Sequence, residues 1–256
     1  MNWSLKKRLR NREPLVGTFL NLGSVMAAEA CALAGFDFVV IDLEHGSGDE
    51  SDLAAQQLAV DSHDVPAIIR VESAERIRAG RVLDLGATGA MFPRLRSRDE
   101  VVEALRHLRY PPVGDRGVAT YNRACGFGLH PENLETANED VVGVVQIETM
   151  EAVGDVDAIS RLDGVDCLFV GPRDLSHALG VPGRLDASEY QEAIGRVVDA
   201  SLTAGVAAGV LVGDSEEARK QLDRGFTFLA IGSDSTFVAQ GARAAASSFE
   251  RQIASR

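Results

Sequence analysis

Short apolar runs alternate with helix-like stretches along almost the whole chain. The runs are rich in β-branched residues and end at turn-forming residues, which is typical of parallel strands buried on both faces. The alternation of eight such strands with helices predicts an α/β fold of the TIM (β/α)₈ barrel type, formed by a single domain over residues 1–256. The expected strands are 15–20, 36–42, 66–71, 89–93, 141–147, 165–170, 206–212 and 226–231.

The segments between these runs carry the end signals of helices, such as Ser24 at the start of one helix and Gly35 at its end. A section at 110–140 is expected to be irregular, and loops of this length usually take part in function or in an interface. An open doubly wound sheet is the competing architecture, but the chain lacks the GxGxxG and GxxxxGK(S/T) patterns that often accompany it. The expected helices are 24–34, 50–62, 74–85, 98–108, 150–162, 188–204, 215–224 and 235–253.

Composition narrows the class of protein. The 256 residues carry a formal net charge of −12, and no basic stripe follows the KKRLRNR start, so no nucleic-acid partner is expected. No apolar run approaches about 18 residues, and the basic start lacks a signal-peptide core, so a cytoplasmic protein without a membrane partner is expected. Cys31, Cys125 and Cys167 show no metal-binding spacing and are expected to be reduced.

Polar and ionisable residues stand where the predicted strands end. Because the carboxyl ends of barrel strands meet at one face, where the sites of this fold lie, these side chains are expected to converge. Glu148 and Asp174 end neighbouring strands, and two carboxylates without histidine or cysteine suit a hard divalent cation such as Mg²⁺ or Mn²⁺. The whole candidate set is Asp42, Glu44, His45, Arg70, Gln146, Glu148 and Asp174.

His45 has two open roles, because an imidazole there can be a further metal ligand or, beside a carboxylate, a general base. The strand placement excludes a lysine Schiff base, since Lys6 and Lys7 precede the first strand and Lys220 lies on the helix after the seventh. The remaining chemistry is a metal acting as a Lewis acid on a carbonyl. Arg70 would offer a bidentate contact to a carboxylate or to a developing enolate.

Five stretches carry a resemblance to a known family: VVIDLEHGSGD, AIIRV, LDLGATGAMFP, YPPVGDRG and VQIETMEAVGDVDAISRLDGVDCLFVGPRDLSHALG. From about residue 17 to residue 233 the chain resembles the metal-dependent (class II) 2-oxo acid aldolases of the 4-hydroxy-2-oxoheptanedioate aldolase and citrate lyase β-subunit superfamily. The resemblance implies a TIM barrel that cleaves a 4-hydroxy-2-oxo acid, dicarboxylic or derived from a sugar acid. The implied products are pyruvate, formed through a metal-bound enolate, and an aldehyde. It also implies a homohexamer, a trimer of dimers that exchange the C-terminal helix.

The same resemblance implies the metal and substrate ligands. Glu148 and Asp174 would hold a divalent metal, Mg²⁺ or Mn²⁺ with Co²⁺ as a further option, and no nucleotide cofactor is implied. The residues implied to bind the 2-oxo acid are Gln146, Arg70, Gly171, Pro172, Arg173 and Asp174.

Catalytic roles are implied for four residues. Arg70 would stabilise the enolate of pyruvate, and His45 would take the proton from the C4 hydroxyl in retro-aldol cleavage. Asp42 would orient His45, and Asp84 would reach the active site of a neighbouring subunit.

Other interpretations stay open. The chain could be a lyase acting on malyl- or citramalyl-type CoA thioesters, or a barrel without catalytic activity. In the long section, Arg116 and Arg123 are candidates for binding a distal carboxylate or phosphate, and equally for a subunit contact.

Overall fold

Eight parallel strands form the centre of the protein, as the computed structural model, which describes residues 5–254, shows. The strands are β1 (Leu15–Leu20), β2 (Phe38–Asp42), β3 (Ala67–Arg70), β4 (Gly89–Phe92), β5 (Val142–Ile147), β6 (Cys167–Val170), β7 (Ala207–Val212) and β8 (Phe228–Ser233). Each strand pairs with its neighbours in chain order, and β8 pairs with β1, so that the sheet closes. The predicted TIM-barrel fold is confirmed.

Helices surround the barrel, and several begin at side chains that accept hydrogen bonds from first-turn N–H groups. Ser24 caps one helix in this way, and Asp49 and Asp214 cap two others. The helices are α1 (Leu5–Arg10), α2 (Val25–Leu33), α3 (Glu50–Asp61), α4 (Arg76–Asp84), α5 (Arg98–Arg106), α6 (Asn133–Asp140), α7 (Met150–Gly154), α8 (Val156–Ser160), α9 (Pro172–Ala178), α10 (Ser188–Ala204), α11 (Ser215–Arg224) and α12 (Asp234–Ala254).

Large side chains fill the inside of the barrel, and strand glycines make room for them. The rings of Phe38 and Phe228 stack with centroids 3.8 Å apart, and a Cβ on Gly17 would lie 2.5 Å from the Phe38 ring. Gly209 makes similar room for Phe169, whose ring a Cβ there would approach to 2.6 Å. The barrel is therefore a packed core, and its polar chemistry lies at its ends.

The end of the barrel at the amino termini of the strands is closed by α1, which the sequence analysis did not predict. Leu5 and Leu9 are buried with the barrel core. Lys6 Nζ donates to the backbone oxygen of Val141 at 2.7 Å and pairs with Asp166 at 3.3 Å. A six-residue helix has too short a periodic pattern to be predicted, because packing rather than propensity stabilises it.

Two other regions differ from the expectation. The section 110–140 is not wholly irregular, since it contains a 3₁₀ segment at Arg123–Gly128 as well as α6. The predicted helix 150–162 is divided into α7 and α8 at Asp155, whose φ of −94° and ψ of 2° interrupt the helical backbone. Apolar periodicity does not reveal such a break, because apolar residues are buried on both pieces.

The last helix extends beyond the barrel. Residues 236–246 of α12 are exposed, whereas the ring of Phe237 stacks on that of Phe36 with centroids 6.3 Å apart. The exchange of this helix between subunits stays a prediction. Within the described part of the chain, no helix combines the length and the apolar character that crossing a membrane requires.

Candidate active site

A cavity of about 570 Å³ opens at the carboxyl ends of the strands. Seven of the eight strands, or the loops that follow them, contribute to its lining, because parallel strands of a barrel all end at the same face. The predicted site residues that line it are Asp42, His45, Arg70, Gln146, Gly171, Pro172, Arg173 and Asp174.

Asp42 and Arg70 form a bidentate ion pair in this cavity. They are register partners at the ends of β2 and β3. Arg70 Nε donates to Asp42 Oδ1 at 2.8 Å, and Arg70 Nη2 donates to Asp42 Oδ2 at 2.6 Å. The guanidinium also lies 5.0 Å from the ring centroid of Phe19. Two parallel hydrogen bonds fix the plane of the guanidinium, and its Nη1 lies 3.4 Å from Glu44 Oε2.

The loop after β2 positions His45. Asp42 Oδ1 accepts the backbone N–H groups of Glu44 at 3.1 Å and His45 at 3.2 Å. A Cβ on Gly46 would collide with the backbone oxygen of Asp42, so a glycine is required where the loop folds back. Asp42 therefore holds the backbone of His45. The imidazole is 65% exposed and faces Glu44, with 3.9 Å between its Nε2 and Glu44 Oε2.

Glu44 is a site residue to which the resemblance assigned no role. Its carboxylate is largely buried between Arg70 and His45. Burial raises the pKa of this carboxyl, although the positive charge of Arg70 acts in the opposite direction. Its position at the end of a predicted strand was the signal in the sequence, but its two partners are apparent only in the tertiary structure.

Glu148 is buried directly after β5. Its Oε1 accepts the backbone N–H of Arg94 at 2.7 Å, and its Oε2 accepts the side-chain N–H of Gln146 at 2.9 Å. Burial raises the pKa of Glu148 to about 7, the hydrogen bond from Arg94 opposes this rise, and the charges of Asp174 and Glu44 add to it. Three carboxylates therefore interact in this part of the site.

The start of α9 positions Asp174. A Cβ on Gly171 would lie 2.7 Å from Glu148 Oε2, so the glycine before α9 leaves space for this carboxylate. Pro172 occupies the first helical position, which its fixed φ favours. Asp174 is half-buried in the first turn of α9, and its charge interacts with that of Glu148. The structure thus brings the two predicted metal ligands together.

The chemistry of these donors fits a hard divalent cation. Glu148 and Asp174 supply only oxygen ligands, which Mg²⁺ and Mn²⁺ prefer. Two neighbouring carboxylates, one of them buried, repel each other and resist ionisation, and a divalent cation between them removes both penalties. The raised pKa of Glu148 reflects its burial first, and the negative charges of Asp174 and Glu44 add to it.

A second group of possible metal ligands lies around the C-terminal end of α5. The ligand atoms of Glu103, His107 and Asp115 all lie within 4.8 Å of one another. His107 Nδ1 is 2.8 Å from Asp115 Oδ1, and Arg106 lies 3.5 Å from Glu103 and 3.6 Å from Asp115. Because a guanidinium already supplies positive charge to both carboxylates, this group is an internal ion-pair network.

Asp84 does not join the cavity of its own chain. It is the last residue of α4, and helices of this fold run back toward the amino ends of the strands. Arg116 Nη2 donates to Asp84 Oδ1 at 2.7 Å, and Arg123 Nη2 donates to Asp61 Oδ2 at 2.7 Å. The two loop arginines are therefore engaged in ion pairs within the chain.

The lysines also lie away from the cavity lining. Lys6 and Lys7 belong to α1, which closes the opposite end of the barrel. Lys220 is exposed on α11 and pairs with Glu216 at 2.8 Å.

Comparison with known proteins identifies close relatives. Residues 15–241 match the model of the HpcH/HpaI aldolase/citrate lyase family. A hydroxypyruvate/pyruvate aldolase of Paraburkholderia phytofirmans is 40% identical, with 94% of this chain and 95% of that protein aligned. A 4-hydroxy-2-oxo-heptane-1,7-dioate aldolase of Shigella sonnei is 35% identical, with 98% and 97% aligned.

A solved structure agrees with these matches. The crystal structure of an HpcH/HpaI aldolase/citrate lyase family protein from Burkholderia cenocepacia J2315 superposes with a TM-score of 0.92 at 39% sequence identity. The superposition covers 96% of this chain and 98% of that one.

Proposed function

This chain belongs to the HpcH/HpaI aldolase/citrate lyase family and is an aldolase, and we propose that it cleaves a 4-hydroxy-2-oxo acid to pyruvate and an aldehyde in the cavity at the carboxyl ends of its strands. The observation that carries the proposal is the buried Glu148, whose charge interacts with those of Asp174 and Arg70, next to the cavity that Asp174, Arg70 and His45 line. These groups can bind a cation, stabilise an oxyanion and accept a proton, which are the three needs of the reaction.

Glu148 and Asp174 are the proposed metal ligands, and Mg²⁺ or Mn²⁺ is the proposed ion. When bound, such a cation polarises the keto group of the substrate as a Lewis acid. Gln146 and the backbone of Gly171, Pro172 and Arg173 are proposed to hold the 2-oxo acid at this position. Gln146 supports this assignment, since it lines the cavity and its side-chain amide has a second N–H besides the one that it donates to Glu148 Oε2.

Arg70 is proposed to stabilise the negative charge that develops on the C2 oxygen when the C3–C4 bond breaks and its electron pair passes to the pyruvate half. The bidentate bond to Asp42 supports this role, because it orients the guanidinium before the substrate binds. A donor that is already oriented needs no reorganisation during the reaction, which is the main source of electrostatic catalysis.

His45 is proposed to accept the proton of the C4 hydroxyl as the aldehyde carbonyl forms. The exposed imidazole at the cavity supports this role. Glu44 lies on the side of its Nε2 and would stabilise the imidazolium that results. The enolate is then protonated at C3, which gives pyruvate and completes the cleavage.

The proposed assembly is a homohexamer, a trimer of dimers. The long exposed face of α12 supports an exchange of this helix with a partner. Asp84 is proposed to reach a neighbouring active site, because it lies at the opposite end of its own barrel. Its ion pair with Arg116 would hold it in place for that role.

Exchange of the methyl protons of pyruvate in D₂O, followed by NMR, tests the proposal. Enzyme treated with EDTA is expected to give no exchange, and Mg²⁺ or Mn²⁺ is expected to restore it. Arg70→Ala should abolish both exchange and cleavage, since both pass through the enolate. His45→Ala should retain exchange and lose most of the cleavage rate, about 10²-fold or more, because it removes only the base for the C4 hydroxyl.

A substitution at a proposed metal ligand is compared with a control substitution elsewhere in the chain. Glu148→Gln should abolish metal-restored exchange, whereas Glu103→Gln, in the ion-pair network at α5, should leave it unchanged. Absence of exchange with any divalent metal, or full exchange in Glu148→Gln, would contradict the proposed site.

A further inference from the structure

We propose that Arg173 selects for aldehydes that carry a second carboxylate, which its guanidinium binds at the edge of the cavity. The inference rests on the proposed aldol cleavage, and it adds the residue that selects the aldehyde half of the substrate by its charge. Arg173 would thus be a specificity-determining residue through its side chain, whereas the proposed pyruvate contact involves only the backbone around it.

Arg173 differs from Arg70, the other arginine that lines the cavity. Arg70 is occupied by Asp42 at 2.6 Å and by Glu44 at 3.4 Å. Arg173 has no ion pair with any side chain that the structure describes. A ligand carboxylate is therefore free to pair with it without first displacing a protein carboxylate.

The loop after α9 holds this arginine at the cavity. Ser176 is fully buried; its hydroxyl donates to the backbone oxygen of Arg173 at 2.8 Å and accepts the N–H of Gly183 at 3.0 Å. Arg173 Nη1 lies 3.6 Å from the position that a Cβ on Gly183 would occupy, and Gly183 also lines the cavity. The guanidinium is thus next to the cavity wall, and Gly183 presents no side chain that would cover it.

The surrounding wall favours an aldehyde with an apolar middle and an anionic end. Leu185, Leu211 and Val212 line the same cavity and suit methylene groups. Three acidic residues line the cavity: Asp42, which pairs with Arg70, Asp174, a proposed metal ligand, and Glu217. Glu217 Oε2 already accepts the N–H of Gly213 at 3.0 Å. A substrate carboxylate near Glu217 would be repelled, so the favourable place for it is at Arg173.

Equilibrium binding of uncleavable substrate analogues tests the proposal independently of turnover. The probes are linear 2-oxo acids of five, six and seven carbons that lack the C4 hydroxyl, each as the dicarboxylate and as the monocarboxylate of the same length. In calorimetry with the metal-loaded enzyme, at least one dicarboxylate is expected to bind at least about tenfold more tightly than the monocarboxylate of the same length. A charge-assisted hydrogen bond predicts a difference of this size. Arg173→Gln should reduce that ratio to about one.

Arg184→Gln is the matched control, since this exposed arginine lies in the same loop but does not line the cavity. It should keep the wild-type preference. Equal affinity for the two members of every pair in the wild type, or a preference that survives in Arg173→Gln, would overturn the inference. Pyruvate proton exchange in each variant distinguishes a failure of this inference from a failure of the proposed function. Intact exchange without a preference for the dicarboxylate refutes only the role of Arg173. Absence of exchange in the wild-type enzyme refutes the proposed function.

Discussion

Replacing Glu148 with glutamine is expected to stabilise the metal-free protein at high pH and to remove its response to divalent metal. The substitution keeps the size of the side chain. Its amide oxygen can still accept the N–H of Arg94, and the Gln146 amide can turn so that its unpartnered Oε1 accepts the new N–H₂ group. What changes is the charge, because glutamine has no buried negative form.

The magnitude follows from the pKa of Glu148, which burial raises from 4.5 to about 7. At about 1.4 kcal/mol per pH unit, ionised Glu148 lowers the free energy of unfolding by about 3 kcal/mol. The sign is set by which state loses its proton first. Below pH 4.5 the carboxyl is protonated in both the folded and the unfolded state and does not change the free energy of unfolding. Between pH 4.5 and about 7 it is ionised mainly in the unfolded chain, so the free energy of unfolding falls as the pH rises. Above about pH 7 the full decrease is present.

Thermal unfolding in EDTA, followed by circular dichroism at equal protein concentration from pH 5 to pH 8, measures this effect. The midpoint of Glu148→Gln should exceed that of the wild type by about 6–12 °C at pH 8 and by much less at pH 5. Mg²⁺ or Mn²⁺ should then raise the midpoint of the wild type only. A difference that does not depend on pH would refute the reasoning about the buried charge, and an equal metal response in both proteins would refute the assignment of Glu148 as a ligand.

Two further substitutions test the structure at the two ends of the barrel. Gly171→Ala should weaken Mg²⁺ or Mn²⁺ binding in calorimetry at least tenfold, because its Cβ would lie 2.7 Å from Glu148 Oε2; unchanged affinity would contradict the close approach. Lys6→Met should lower the free energy of unfolding in urea by about 3 kcal/mol, because it leaves the buried Asp166 without its nearest cation. Pyruvate exchange should persist in Lys6→Met, and a loss of exchange in the folded variant would show that this end affects the site.

Local patterns were sufficient to predict the barrel and the place of its site. The strands are short, largely apolar runs, most of which contain β-branched residues, and these properties belong to a few consecutive residues. Asp42 and Arg70 were expected at strand ends, and they are the last residues of β2 and β3. Because all strands of a closed parallel barrel end at one face, the positions at strand ends predicted their convergence, although their catalytic roles stay predictions.

The partners of these residues were not predictable in the same way. Asp42 was expected to orient His45, and this role of its side chain stays a prediction. The sequence did not show that its carboxylate also binds the guanidinium of Arg70, as well as the backbone N–H groups of Glu44 and His45. The place of Glu44 between Arg70 and His45 depends on the twist and register of two strands. A basic side chain at a strand end has several carboxylates within reach on the neighbouring strands and loops. Which ion pairs form is decided by the packing of the loop after β2.

The sequence by itself determined the strand and helix order, the closed fold that follows from it, and the ionisable residues at the carboxyl ends of the strands. The tertiary structure decided that α1 closes the other end, that Asp84 pairs with Arg116, and that Arg173 has no carboxylate partner among the described side chains. The physical reason is the range of the interactions. Periodicity and turn chemistry act over a few residues, whereas burial, ion pairing and the resulting pKa of Glu148 depend on groups that are distant in sequence and meet only after folding.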